Sequence, residues 1–392
     1  MNILITGGNF KNKGAELMLM SLIYKINARI PDSKIYVSPL LGNKHKLSNV
    51  GVGYVDYPLY HYGHKRLSLS LHAPALIRTV MKLKGIATEG TIPLKKIDVV
   101  FDISGFAFGD KWGDKPLSDL YHFIKKMKGY GAKFFLLPQA FGPFTKRGMK
   151  EHISKASLYV DLLIARDKTS YAYVINAVGG ERQNILLYPD ITLTFKVPRD
   201  KQQRLNSKNY CLIVPNERML DKASESWQRN YIEVMSKIIQ HILLNSKLDV
   251  IVLIHAQGDS NDAKVGKDII DSVPLASERL SFLIEEDPIT LKAFISACDF
   301  LVGSRFHALA SALSSNVPAL ATSWLHKYEM LFEDYQCSDF SFKEPNDQLF
   351  DSLGRLLDTD SRNEIIKRLQ HVNEHMKAKS EDMWDKIGEH IG

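Results

Sequence analysis

Short runs rich in apolar, β-branched and aromatic residues alternate with helical patterns along almost the whole chain. Asn2–Thr6 comes first, followed by a glycine loop and an amphipathic stretch from about Ala15 to Ala28. Lys34–Ser38, Gly51–Asp56, Ile97–Ser104, Ala132–Pro138, Asp161–Ala165 and Asn184–Tyr188 continue the series. Continuous runs such as Val99-Val100-Phe101 and Phe134-Phe135-Leu136-Leu137 predict strands buried on both faces, which belong to parallel sheets covered by helices. The composition turns polar near Lys196–Asn209, the best linker in the chain. Beyond it the strand pattern resumes at Tyr210–Val214, Val250–His255, Leu280–Ile284, Phe300–Gly303 and Ala319–Ser323. Helical patterns lie between, near Trp227–Leu244, Ala263–Val273, Pro288–Ala297 and His307–Ser315, and Ser361 onward is one long helical pattern. The expectation is two Rossmann-like α/β domains, 1–200 and 201–392, facing across a cleft, with a helical tail on the second.

Composition adds few constraints. A chain of 392 residues exceeds the size at which single cores stop growing, consistent with two domains. Three scattered cysteines, Cys211, Cys298 and Cys337, make neither a disulfide framework nor a zinc site; they fit a reducing compartment. No secretory pattern opens the chain, and no run approaches the ~20 apolar residues of a membrane span. A soluble cytoplasmic protein is expected. The formal net charge of +7 favours anionic ligands. It is not gathered into an aromatic-interleaved stripe, which argues against nucleic acid. The segment His61–Gly85 sets Lys65, Arg66, Arg78, Lys82 and Lys84 around apolar residues. Such a stretch can rest on an anionic membrane face, although packing on its own domain is the commoner fate.

Candidate chemistry collects at predicted strand ends, where ligands sit in open α/β sheets. The loop Gly7-Gly8-Asn9-Phe10-Lys11-Asn12-Lys13-Gly14 lets backbone N–H groups approach an anion, and Asn9 and Asn12 add amide groups. It matches neither the dinucleotide fingerprint nor the phosphate-loop motif, so a tight structural turn accounts for it as well. Glu16 stands in the first turn of the following helix. Asp102-Ile103-Ser104-Gly105-Phe106-Ala107-Phe108-Gly109-Asp110 offers aromatics that stack on a sugar or pack in a core. Gln139 follows another strand. Arg166 suits carboxylate or phosphate through its planar fork, with surface pairing to Asp167 as the plain alternative. Asp190 holds the equivalent place after the next strand. The strongest constellation is Val302-Gly303-Ser304-Arg305-Phe306-His307-Ala308, where a strand turns into a helix rich in small residues. There a guanidinium, an imidazole and a helix N-terminus would meet an anion together. Trp324, His326, Lys327 and Glu329 follow the next strand. No metal-ligand spacing is visible.

At these residues the chain resembles the polysaccharide pyruvyltransferase family. The likeness runs through G-N-F-K-N-K-G-A-E, L-P-Q-A-F-G-P-F, A-R-D-K-T-S, Y-P-D and V-G-S-R-F-H-A-L-A-S-A-L, the last being the most specific. Phe306 stands where members often carry leucine, and in Ala15-Glu16 an alanine separates the glycine from the acidic residue. The resemblance implies the two-domain GT-B architecture, with the site in the interdomain cleft. It implies phosphoenolpyruvate as donor, and a glycan or lipid-linked oligosaccharide as acceptor of a pyruvate ketal. Arg166 and Arg305 would take the donor's carboxylate and phosphate, and His307 would be the acid/base. Asn9, Asn12, Glu16, Gln139, Asp190, Ser304 and Lys327 would complete the binding residues, with no metal and no cofactor. Two alternatives stay open: a GT-B glycosyltransferase using a nucleotide sugar, and a non-catalytic two-lobed binding protein. The acceptor sugar, its linkage and the oligomeric state are not legible.

Overall fold

The computed structural model describes residues 1–10, 13–56, 59, 62–64, 79, 91–197, 209–255, 260–323 and 325–392. Most of the basic stretch 61–85, most of the linker, Asn12 and Trp324 thus lie outside the described residues. Two compact units emerge: Met1–Thr192 with Ala378–Gly392, and Leu193–Lys377.

The first unit holds an eight-stranded sheet. Its strands are β1 (Asn2–Thr6), β2 (Lys34–Val37), β3 (Gly53–Val55), β4 (Thr91–Ile92), β5 (Val99–Asp102), β6 (Lys133–Gln139), β7 (Leu162–Ala165) and β8 (Ile185–Leu187). Their spatial order is β4-β3-β2-β1-β5-β6-β7-β8, and every pairing is parallel. β5 and β7 are buried throughout, as are six of the seven residues of β6, which is why these segments read as unbroken apolar runs. The chain leaves β1 toward one edge and β5 toward the other. The β1/β5 boundary is therefore a topological switch point, where a crevice opens at the carboxyl ends.

The second unit carries β9 (Tyr210–Val214), β10 (Asp249–Ile254), β11 (Leu280–Ile284), β12 (Phe300–Gly303), β13 (Ala319–Thr322) and β14 (Ser341–Phe342). The order β11-β10-β9-β12-β13-β14 is that of a Rossmann sheet, again all parallel, with its switch point at β9/β12. Each unit has its own core: one runs from Leu4 to Ile185, the other from Tyr210 to Val372. In the second, Trp227, Tyr231, Met235 and Ile239 of the helix Glu225–Asn245 cover the sheet at helical spacing.

The elements fall close to their expected places, with two differences. The edge strands β4 and β14 carry two residues each, too few for periodicity to register. The tail is one helix, Thr359–Ile391. Its last part groups with the first unit, so the second unit does not run to the C-terminus as expected. The reason is side-chain chemistry: Trp384 meets the ring of Phe101 at 5.9 Å, and Lys25 pairs with Glu381 at 2.7 Å. Arg29 adds ion pairs to Asp385 (2.7 Å) and Glu381.

Candidate functional site

The richest polar constellation of the second unit sits at the β9/β12 switch point. β9 ends at Val214 and is followed by Asn216, whose side-chain amide donates to the Ser304 carbonyl at 2.8 Å. Tyr328 Oη donates to that same carbonyl at 2.8 Å. The Ser304 hydroxyl, wholly buried, bonds Tyr231 Oη at 2.6 Å and also the Thr322 hydroxyl. The backbone turn between β12 and the helix Phe306–Leu313 is thereby clamped on both its carbonyl and its side chain. Gly303 fits because a Cβ there would crowd Leu301 and Val214. Burial pushes the Tyr231 phenol well up, so it stays neutral as a hydrogen-bonding group.

Arg305 follows the clamped turn. Its Nε donates to Asp262 Oδ2 at 2.6 Å and its Nη2 to Asp262 Oδ1, while Nη2 also reaches Ser260 Oγ at 2.9 Å. Asp262 is completely buried and further accepts the Glu217 backbone N–H at 2.9 Å. His307 lies in the first turn of the helix, its ring parallel to that of His255 with centroids 6.5 Å apart. Phe306 meets His307 edge-on at 5.6 Å. Lys327 Nζ stands 4.7 Å above the Phe306 ring. A guanidinium, an imidazole and an ammonium therefore gather about a helix N-terminus, whose dipole favours negative charge.

The first unit has a second cluster at β1/β5. Asp102, fully buried, accepts from Thr6 Oγ1 at 2.7 Å, from the Ser104 N–H at 3.1 Å and from Gln139 Nε2 at 3.4 Å. Burial, reinforced by this carboxylate, drives the Tyr62 phenol well above its ordinary range. The Ser104 hydroxyl and Gln139 Oε1 are buried with no protein partner among the described residues. Gly7, at φ +84°, closes the cluster because any Cβ would strike Ser104. Nearby on the same loop, Phe106 and Trp112 are about half exposed, with the indole N–H donating to the Phe106 carbonyl at 2.7 Å. Two strands over, after β7, Arg166 pairs with Asp190 at 3.3 Å, and Asp167 caps its helix through the Ser170 N–H at 2.7 Å.

These positions sort the expected site residues. Arg305, His307 and Lys327 come together in the second unit. Arg166 and Asp190 come together in the first, while Asn12 lies outside the described residues. Gln139 joins the Asp102 cluster. Glu16 is buried between Lys13 (3.0 Å) and Lys46 (2.7 Å), so its carboxylate is engaged within the fold. Ser304 offers its hydroxyl to Tyr231 and Thr322 rather than to an open surface, which makes it a framework residue. Asn9 stands beside Gly8 in the loop after β1. Pattern reading passed over Asp262, Asn216, His255, Thr6 and the role of Asp102. Asn216, His255 and Asp102 each lie at or next to the carboxyl end of a strand, the signal that locates them. Asp262 has no such local mark, because its partner is distant in sequence.

The sequence model for polysaccharide pyruvyl transferase matches residues 12–326, most of the chain. The chain belongs to the polysaccharide pyruvyl transferase family. It is accordingly a transferase. No curated protein matches this pyruvyl transferase by sequence. Among solved structures, it is similar to the UDP-GlcNAc 2-epimerase from Neisseria meningitidis bound to UDP-GlcNAc, with 9% identity, 99% of this chain and 100% of that one covered, and a TM-score of 0.62. It is also similar to HepE of Anabaena in complex with UDP (15%, 99% and 100%, 0.56). The UDP-GlcNAc 2-epimerase from Methanocaldococcus jannaschii is a third (11%, 95% and 100%, 0.56). Such likenesses establish the GT-B-like fold of the pyruvyl transferase. No helix among its described residues is long and apolar enough to cross a membrane, and those residues form no group of metal-ligating side chains.

Proposed function

We propose that this pyruvyl transferase uses phosphoenolpyruvate to build a cyclic pyruvate ketal on a sugar of a cell-surface polysaccharide or its precursor. The observation that carries the reading is Arg305, held by Asp262 beside His307 at the helix N-terminus. Phosphoenolpyruvate is a compact, highly anionic enol ester, and a planar guanidinium next to an imidazole answers both its charge and its need for a proton. His307 delivers a proton to the methylene carbon, leaving the adjacent carbon electrophilic. One sugar hydroxyl adds there and gives up its proton, and the bond to the phosphate oxygen breaks with its electron pair. A neighbouring hydroxyl then takes the place of phosphate and closes the ring. Each molecule of donor and of diol yields one ketal and one inorganic phosphate. Arg305 neutralises the departing phosphate. The reaction runs on donor, acceptor and protein side chains, with no cofactor. The acceptor is a glycan or a lipid-linked oligosaccharide; the latter would bring the enzyme to the inner membrane face.

Two of the structurally similar proteins, described as bound to UDP and to UDP-GlcNAc, favour a second reading in which a nucleotide sugar is the donor. One experiment separates the two. Purified protein is incubated with phosphoenolpyruvate and a panel of glycans, and phosphate release and acceptor mass are followed. Acceptor-dependent phosphate with a matching pyruvyl gain supports the proposal. UDP released from a UDP-sugar, with phosphoenolpyruvate untouched, overturns it.

A further inference from the structure

Arg305 carries five N–H donors in one plane. One, on Nε, goes to Asp262 Oδ2, and two, on Nη2, go to Asp262 Oδ1 and Ser260 Oγ. The two N–H groups of Nη1 have no protein partner among the described residues. Asp262 has no exposed surface, whereas the Arg305 side chain keeps about a fifth of its own. The carboxylate therefore binds the guanidinium from its buried edge and leaves the opposite edge outward. Asp262 is itself fixed: it opens the helix Asp262–Asp271, accepts the Glu217 N–H at 2.9 Å, and donates its own backbone N–H to Ser260 Oγ at 3.3 Å. Glu217 in turn accepts the Asn261 N–H at 3.1 Å, tying the loop after β9 to the loop after β10.

A buried carboxylate also cancels most of the arginine's net charge, so a site built for attraction alone gains nothing from it. What a side-on pair does supply is orientation, because it removes the rotations about a long flexible side chain. We infer that Asp262 is a positioning residue: it locks the Arg305 guanidinium so that its Nη1 edge meets the anionic donor. This rests on the proposed donor reading of Arg305. Ser260 acts in the same direction through the remaining Nη2 proton.

The test is titration calorimetry with phosphoenolpyruvate, alongside steady-state kinetics, on the full chain. Asp262→Asn keeps size and an oxygen for the Glu217 N–H but loses the paired charge. Donor affinity should fall on the order of tenfold to a hundredfold, the scale of a misplaced binding group. KM for the donor should rise more than kcat falls. In an Arg305→Lys background the same substitution should add little, because Asp262 acts through the arginine. Ser260→Ala, a milder change outside the buried pair, should weaken binding several-fold and guards against failure of Asp262→Asn to fold. Unchanged affinity in both Asp262→Asn and Ser260→Ala, or an undiminished loss in the Arg305→Lys background, removes the role. A wild type that takes up no phosphoenolpyruvate overturns the donor reading and this role with it; wild-type binding that neither Asp262→Asn nor Ser260→Ala weakens overturns only the role.

Discussion

His307 stands in the first helical turn after β12, with its ring parallel to that of His255 and edge-on to Phe306. If it is the proton donor, His307→Ala should lower kcat by roughly a hundredfold or more, the usual scale of a lost general acid. Its thermal unfolding midpoint should stay close to that of the wild type, since the side chain is only partly buried. Near-normal turnover in the folded variant would return His307 to a structural role. The cysteines behave differently. All three are free and buried. Burial pushes the Cys337 thiol up from 9.0 to about 11. A raised thiol pKa favours the native state while both states hold the proton. That contribution is complete below about pH 9 and is lost as pH rises toward 11. Stability measured by denaturant between these pH values should fall less steeply in Cys337→Ala than in the wild type. Equal slopes would mean that Cys337 does not carry this dependence.

At the scale of elements, the decisive device is the clamp on the β12 turn. A strand that must deliver an arginine and a histidine to a helix N-terminus needs its turn held without a flexible loop. Asn216, Tyr231, Thr322 and Tyr328 provide this from the loop after β9, from β13 and from two helices. Asn216→Ala would leave one buried carbonyl with a single donor and open a small void. The expected cost is about 1–3 kcal/mol of stability. Donor affinity should also fall, because Arg305 is the residue that follows the turn. Full stability with full affinity in this variant would show that Tyr328 alone holds the carbonyl.

At the scale of the whole molecule, the last turns of the C-terminal helix belong with the N-terminal sheet. Met383, Trp384 and Ile387 are buried there, and Tyr188 Oη bonds Asp382. Trp384→Ala should cost about 3–5 kcal/mol, the range for a buried tryptophan. Removal of 378–392 should destabilise the first unit more than the second. Limited proteolysis of the truncated chain then cuts preferentially within 1–192. Cleavage confined to 193–377 would contradict this assignment.

Some of this was legible along the chain. Period and burial on both faces marked β5, β6, β7, β9 and β12, because a strand covered by helices needs continuous apolar residues. Arg305 and His307 were legible because strand end, turn and helix start are neighbours in sequence. The Asp262 that holds Arg305, the His255 ring beside His307 and the Thr6–Asp102 bond were not. Each joins residues brought together only by parallel crossovers, and no local pattern records which strand becomes whose neighbour. The tail shows the same division. Its sequence determined a helix, since helical hydrogen bonds are local; tertiary packing decided which unit that helix completes, since Trp384 is buried by contact with Phe101, far away in the chain.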